Sequence, residues 1–115
     1  MGDAMASYII QHKDNRGLIQ LAGDLTAGLV PDLQVELKRA LDKGATQLVF
    51  DLENTVMLDS SGMGLLIATS NSLTRIGGEM QVINASSDIL RLLQCMRLAG
   101  RLNVNGSSKK EHCHG

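Results

Sequence analysis

Apolar positions recur along this chain with two different periods, and the switches between them mark out its elements. Tyr8-Ile9-Ile10-Gln11-His12 and Leu18-Ile19-Gln20-Leu21-Ala22 are β-type runs. Lys13-Asp14-Asn15-Arg16-Gly17 between them carries residues that tolerate turn dihedrals, which predicts an antiparallel hairpin. Gly23-Asp24-Leu25-Thr26 closes the second strand and opens a loop. The period then lengthens: Val30, Leu33, Leu37 and Leu41 fall at helical spacing, with Pro31 suited to a first turn and Gly44 to a stop. Gln47 to Leu52 reads as a strand buried on both faces, and therefore central. Met63, Leu66, Ile67, Ser70, Leu73 and Thr74 form one stripe of a second helix, stopped by Gly77-Gly78. Glu79 to Asn84 is a further strand. Ser86-Ser87-Asp88 then caps a third helix carrying Ile89, Leu92, Leu93 and Met96, expected to end near Gly100. Leu102-Asn103-Val104 is a candidate short edge strand.

The order ββαβαβα, with this possible last strand, places the chain in the α/β class. A hairpin followed by strand–helix units implies a small mixed β-sheet, because each crossover returns a strand parallel to its neighbour. In so short a chain the helices must lie mainly on one face. Residues 1–6 read as a flexible start, 7–104 as a single domain and 105–115 as a polar, disordered tail.

Composition narrows the function. At 115 residues there is one core to bury, and with aromatics at 2% it must be built from Leu, Ile, Val, Ala and Met. A net charge of -1, with acids and bases interspersed, gives no electrostatic footprint for nucleic acid or an anionic membrane. No apolar run is long enough to span a bilayer, and the N-terminus lacks the layout of a secretory signal. Cys95, in a helical pattern and expected in the core, and Cys113, in the tail, do not make a disulfide framework. The expected compartment is the cytoplasm.

The polar chemistry gathers at one junction. Between the apolar run Leu48-Val49-Phe50-Asp51-Leu52 and the second helix lies Val56-Met57-Leu58-Asp59-Ser60-Ser61-Gly62-Met63-Gly64. The first N–H groups of a helix lack intrahelical partners and carry partial positive charge, so Asp or Ser caps them and a phosphate is well accommodated there. Simple capping, worth about 1 kcal/mol, accounts for Asp59-Ser60-Ser61 on spacing alone. Gly62 and Gly64 are poor helix formers, there either for close backbone packing or to leave the hydroxyls accessible. Met63 belongs to the core stripe or to a partner contact.

Enzymatic readings find little support. Asp-Ser-Ser-Gly is not the Gly-x-Ser-x-Gly nucleophile elbow, and a serine nucleophile needs a base that His12, His112 and His114 do not obviously supply. Asp51, Glu53 and Asp59 read as solvated loop acids. No phosphate-cradling Gly-rich loop is present. Glu111-His112-Cys113-His114 could weakly chelate a soft metal, but a solvated end is the better reading. No catalytic residue, cofactor or metal is expected.

Three segments in order carry a resemblance: Gly23-Asp24-Leu25 after the hairpin, Leu58-Asp59-Ser60-Ser61-Gly62-Met63-Gly64 after a buried strand, and Ile76-Gly77-Gly78-Glu79-Met80 at the next helix-to-strand turn. Over residues 7 to 104 the chain resembles a STAS domain, in the form of a stand-alone bacterial anti-sigma factor antagonist. The resemblance implies partner switching. Unphosphorylated, such a protein binds an anti-sigma factor that is also a serine kinase, and so frees the sigma factor. Phosphorylation at the position of Ser60 turns binding off, and a PP2C-type phosphatase resets it. Asp59, Ser61, Gly62, Met63 and Gly64 would be the switch-site neighbours, and Asp24, Leu25 and Thr26 a partner surface. Thr26 stands where the family usually has Asp. Direct binding to nucleic acid or membrane is not implied. The alternative is a non-phosphorylated STAS subunit of a signalling scaffold or transporter-associated complex.

Overall fold

The computed structural model describes residues 8–100 and 102–106. Strands β1 (Tyr8–Lys13) and β2 (Arg16–Leu21) form the antiparallel hairpin, with Lys13 opposite Arg16. The turn is tighter than the sequence suggests. Asp14 takes the left-handed conformation, φ 56°, so two residues suffice and Arg16-Gly17 join the strand.

Helix α1 (Val30–Asp42), strand β3 (Gln47–Asp51), helix α2 (Ser60–Arg75), strand β4 (Glu79–Ala85), helix α3 (Ser87–Cys95) and strand β5 (Val104–Gly106) complete the domain. The sheet order is β1-β2-β3-β4-β5, parallel from β2 onward. Each crossover advances one strand in the same direction. Right-handed connections therefore stack all three helices on one face. Alternation along the strands agrees. Ile19 and Leu21, Leu48 and Phe50, Met80 and Val82 are buried against Leu33, Leu37, Leu65, Leu66, Leu73, Ile89 and Leu93 of the helices. The mixed sheet with helices on one face is the expected architecture.

Five further details differ from the pattern reading. β3 is central, but it is covered on one side: Val49 is half-buried on the open face, and the run looks doubly buried because its open-face residue is apolar too. The α2 stripe is rotated. Leu65, Leu66, Thr69, Ser70 and Leu73 are buried whereas Thr74 is exposed. Thr69 is tolerated inside because its hydroxyl donates to the Leu65 carbonyl at 2.8 Å.

The other three lie at the C-terminal end. α3 stops at Cys95, before Gly100. Arg97 takes φ 60°, and the Leu98 N–H donates to the Leu93 carbonyl at 2.8 Å, a Schellman closure formed without glycine. Cys95 and Met96 consequently lie exposed, outside the Ile89–Leu93 stripe, so Cys95 is not a core residue. The last strand begins two residues late, because Leu102 is drawn into the core at 0% exposure. It takes in Asn105 and Gly106, beyond the domain boundary at 104 that the sequence suggests. Of the expected flexible ends, residues 1–6 and 107–115 lie outside the described residues.

Candidate functional site

Two loops meet at the C-terminal end of the parallel strands, one leading into α1 (residues 22–29) and one into α2 (residues 52–59). They are laced together by backbone. The Leu25 N–H donates to the Met57 carbonyl at 3.1 Å and the Asp59 N–H to the Leu25 carbonyl at 3.3 Å, making a parallel bridge between Leu25 and Leu58. The Thr55 hydroxyl, buried, donates to the Gly23 carbonyl at 2.9 Å.

Two aspartates then clamp the loops reciprocally. Asp24 Oδ1 accepts from the N–H groups of Val56 and Met57 at 3.1 and 3.0 Å. Asp59 Oδ1 caps α2 by accepting from the Gly62 N–H at 2.9 Å, while its Oδ2 accepts from the Ala27 N–H at 3.0 Å. Donation by the Gly62 N–H holds the Asp59 carboxyl below its ordinary 3.8; partial desolvation opposes this, and the Ala27 N–H adds to the lowering. Asp59 is therefore both helix cap and inter-loop clamp, and it is ionised at neutral pH.

Ser60, the first residue of α2, is exposed, as is Ser61. Beside them the loop presents Val56 at 78% and Met57 at 57% exposure, large apolar side chains that the clamp holds outward. Both stood in the motif stretch of the sequence, but nothing in the apolar pattern distinguished them from core. Their signal is Asp24, whose carboxylate fixes their backbone.

The two glycines part company. A Cβ on Gly62 would lie 2.4 Å from the Leu25 carbonyl oxygen, so this glycine is needed for the loops to meet. A Cβ on Gly64 would meet nothing within 4 Å. Met63 is half-buried and packs on the core. Of the expected partner surface, Asp24 is exposed and Thr26 half-buried. Leu25 has 0% exposure, so its side chain is core and cannot touch a partner. Apolar size put it there, filling the space under the bridge. His12 pairs with Gly17 at the opposite end of the sheet.

The fold and this junction belong together. The STAS domain family model matches residues 7–110. The chain is a member of the STAS domain family. It is 28% identical over 93 residues to an anti-sigma-B factor antagonist of Staphylococcus aureus, covering 81% of this chain and 86% of that protein. A Staphylococcus epidermidis protein of the same description is 26% identical over the same share. Among solved structures, the anti-sigma factor antagonist SpoIIAA in its unphosphorylated form superimposes with TM-score 0.68 at 24% identity, covering 76% of this chain and 81% of that one. A Thermotoga maritima protein described as a putative anti-sigma factor antagonist gives TM-score 0.79 at 14% identity, covering 91% and 86%. At such identities the structural likeness speaks to fold. Among the described residues no helix is long and apolar enough to cross a membrane.

Proposed function

We propose that this chain is an anti-sigma factor antagonist that works by partner switching, with Ser60 as its phosphorylation site. Its partners are an anti-sigma factor of serine-kinase type and a PP2C-type phosphatase, acting in the bacterial cytoplasm. The observation that carries this reading is the setting of Ser60. Its exposed hydroxyl opens α2, next to outward-held Val56 and Met57, on a backbone clamped by Asp24 and Asp59.

Each part supports the role. Val56 and Met57 offer a partner apolar surface at no folding cost, and aliphatic contacts of this kind are what a desolvated interface centre uses. Gly64 leaves the adjoining face of α2 bare, although its Cβ space is open and folding does not require a glycine there. In the modification step, Ser60 Oγ would attack the γ-phosphorus of ATP; the hydroxyl proton passes to a base of the kinase and ADP leaves. The product carries about -1.5 to -2 of charge beside the ionised Asp59. A partner seated on Val56 and Met57 would have to desolvate that charge, and a few kcal/mol weakens binding by more than a hundredfold.

The test uses Ser60→Ala and Ser60→Asp proteins as baits in lysate of the source cell, read by mass spectrometry. A serine-kinase-type protein retained by the alanine bait and lost from the aspartate bait is the expected result. Identical partners on both baits would overturn the switch and favour a scaffold subunit, with Ser60 a plain helix position.

A further inference from the structure

The face of the sheet away from the helices carries a pattern the partner-switching role does not use. Three rows of side chains run across β1, β2, β3 and β4 on that face. The first is Lys13, Arg16, Gln47 and Glu79; the second is Gln11, Leu18, Val49 and Gln81; the third is Ile9, Gln20, Asp51 and Ile83. Ile9 is 55% exposed, and Leu18, Val49 and Ile83 are half-buried, flooring a hollow of about 700 Å³. Among the described residues the ion pair found is Arg39–Glu36 on α1, so Lys13 and Glu79 are not paired within the domain.

From this pattern we infer that the open face is a self-complementary surface for a second copy of this chain. The two-fold axis runs along the strands, between β2 and β3. Rotation about it sets β1 over the copy's β4 and β2 over its β3, at unchanged height along the strands. Lys13 then faces the copy's Glu79, twice in the dimer. Leu18 faces Val49, Ile9 faces Ile83, Gln11 faces Gln81 and Arg16 faces Gln47. Lys13 meets the opposite charge of Glu79 and apolar meets apolar in the other two rows, while two charges, Arg16 and Asp51, face the neutral amides of Gln47 and Gln20. The Asp51 carboxylate is already occupied by the Asn84 side chain and the Glu53 N–H. Sheets packed face to face keep their strands within about 30° of one another, which this axis permits.

The charge arrangement selects a copy over another occupant. Lys13 lies on the edge strand β1 and Glu79 on β4, an order that a reversed copy of the same face complements. Four strands about 4.8 Å apart and five residues of about 3.3 Å make a patch of about 300 Å² on each copy, below the size of a stable specific interface, so the dimer is weak and transient. Ser60 follows the C-terminal end of β3, whereas the Lys13–Glu79 row lies at its N-terminal end. Dimerisation thus leaves the loop surface free, and the inference stands whether or not Ser60 is a switch.

Sedimentation equilibrium of the full chain at low salt, from about 10 to 500 μM, tests it. A monomer–dimer equilibrium is expected, weakening as salt screens the pairs. Glu79→Lys alone, or Lys13→Glu alone, sets like charges opposite each other and should weaken the dimer by about tenfold. The double reversal should restore it. Both side chains are exposed, so these variants fold. A monomer at every concentration overturns the proposal, and so does a dimer indifferent to either single reversal, which would place the interface elsewhere.

Discussion

Gly62 and Gly64 lie two residues apart in the first turns of one helix, and the same substitution should move stability in opposite directions. Alanine gains about 0.8–1 kcal/mol over glycine in a helix interior. At Gly64 the added methyl meets nothing within 4 Å, so most of that gain should appear. At Gly62 it would lie 2.4 Å from the Leu25 carbonyl oxygen, 2.8 Å from a Leu58 methyl and 2.9 Å from Leu25 Cγ. Carbon–oxygen contacts begin near about 3.3 Å, so the first of these cannot stand. The atom that must retreat is backbone, and it accepts the Asp59 N–H across the bridge between the loops.

Overpacking of this kind costs about 1–3 kcal/mol, and loosening the bridge adds about 1 kcal/mol for a lost hydrogen bond. Net of the helix gain, Gly62→Ala should destabilise by about 1–3 kcal/mol, while Gly64→Ala stabilises by up to about 1 kcal/mol. In a domain of this size each kcal/mol moves Tm by about 4 °C or more. Thermal and urea unfolding followed by circular dichroism would resolve both shifts. A Gly62→Ala protein as stable as the parent would refute the close approach of the two loops, on which the site's geometry rests. A destabilised Gly64→Ala protein would show that its open space is occupied.

The clamps make two further predictions. Asp24→Ala removes the acceptor shared by the Val56 and Met57 N–H groups. Their amide exchange should accelerate by about fivefold while core amides such as Phe50 stay protected, since each such bond is worth about 1 kcal/mol. Unchanged exchange at both positions would mean the carboxylate does not hold that loop. Asp59 is held below its ordinary 3.8 by the folded state's N–H donors, so its contribution is full above that value and lost as pH falls through the lowered one. Asp59→Asn should therefore lower stability at neutral pH, with the difference from the parent shrinking as pH falls below the ordinary 3.8. A pH-independent difference would assign the loss to packing instead.

The elements, their order and the mixed sheet were legible because period and breakers agree along most of the chain. Where they disagreed, tertiary context decided. Arg97 closes α3 in a conformation usually given to glycine, because Leu98 and Leu93 come together in the core beneath it, and no composition rule signals that. The exposure of Cys95 follows from the same early stop. The motif located Ser60 and Asp59, since capping chemistry is local. The part of Asp24 was not legible: its partners are 32 and 33 residues away, on a loop whose approach depends on the bare face of Gly62.

That dependence also constrains how a charge at Ser60 could act. Both oxygens of Asp59 are occupied, one by the helix it caps and one by the neighbouring loop, and Asp24 Oδ1 carries two donors. Leu25 and Leu58 lie buried beneath the bridge, and Gly62 leaves no spare room there. A scaffold tied at so many points resists rearrangement, since moving either loop would break several of these bonds at once. A change at the exposed Ser60 hydroxyl is then expressed where it is made, as a change in surface charge beside Val56 and Met57, without a refolding step. If Ser60 is the switch proposed above, the cost would fall on the partner's approach, and local electrostatics would suffice for it.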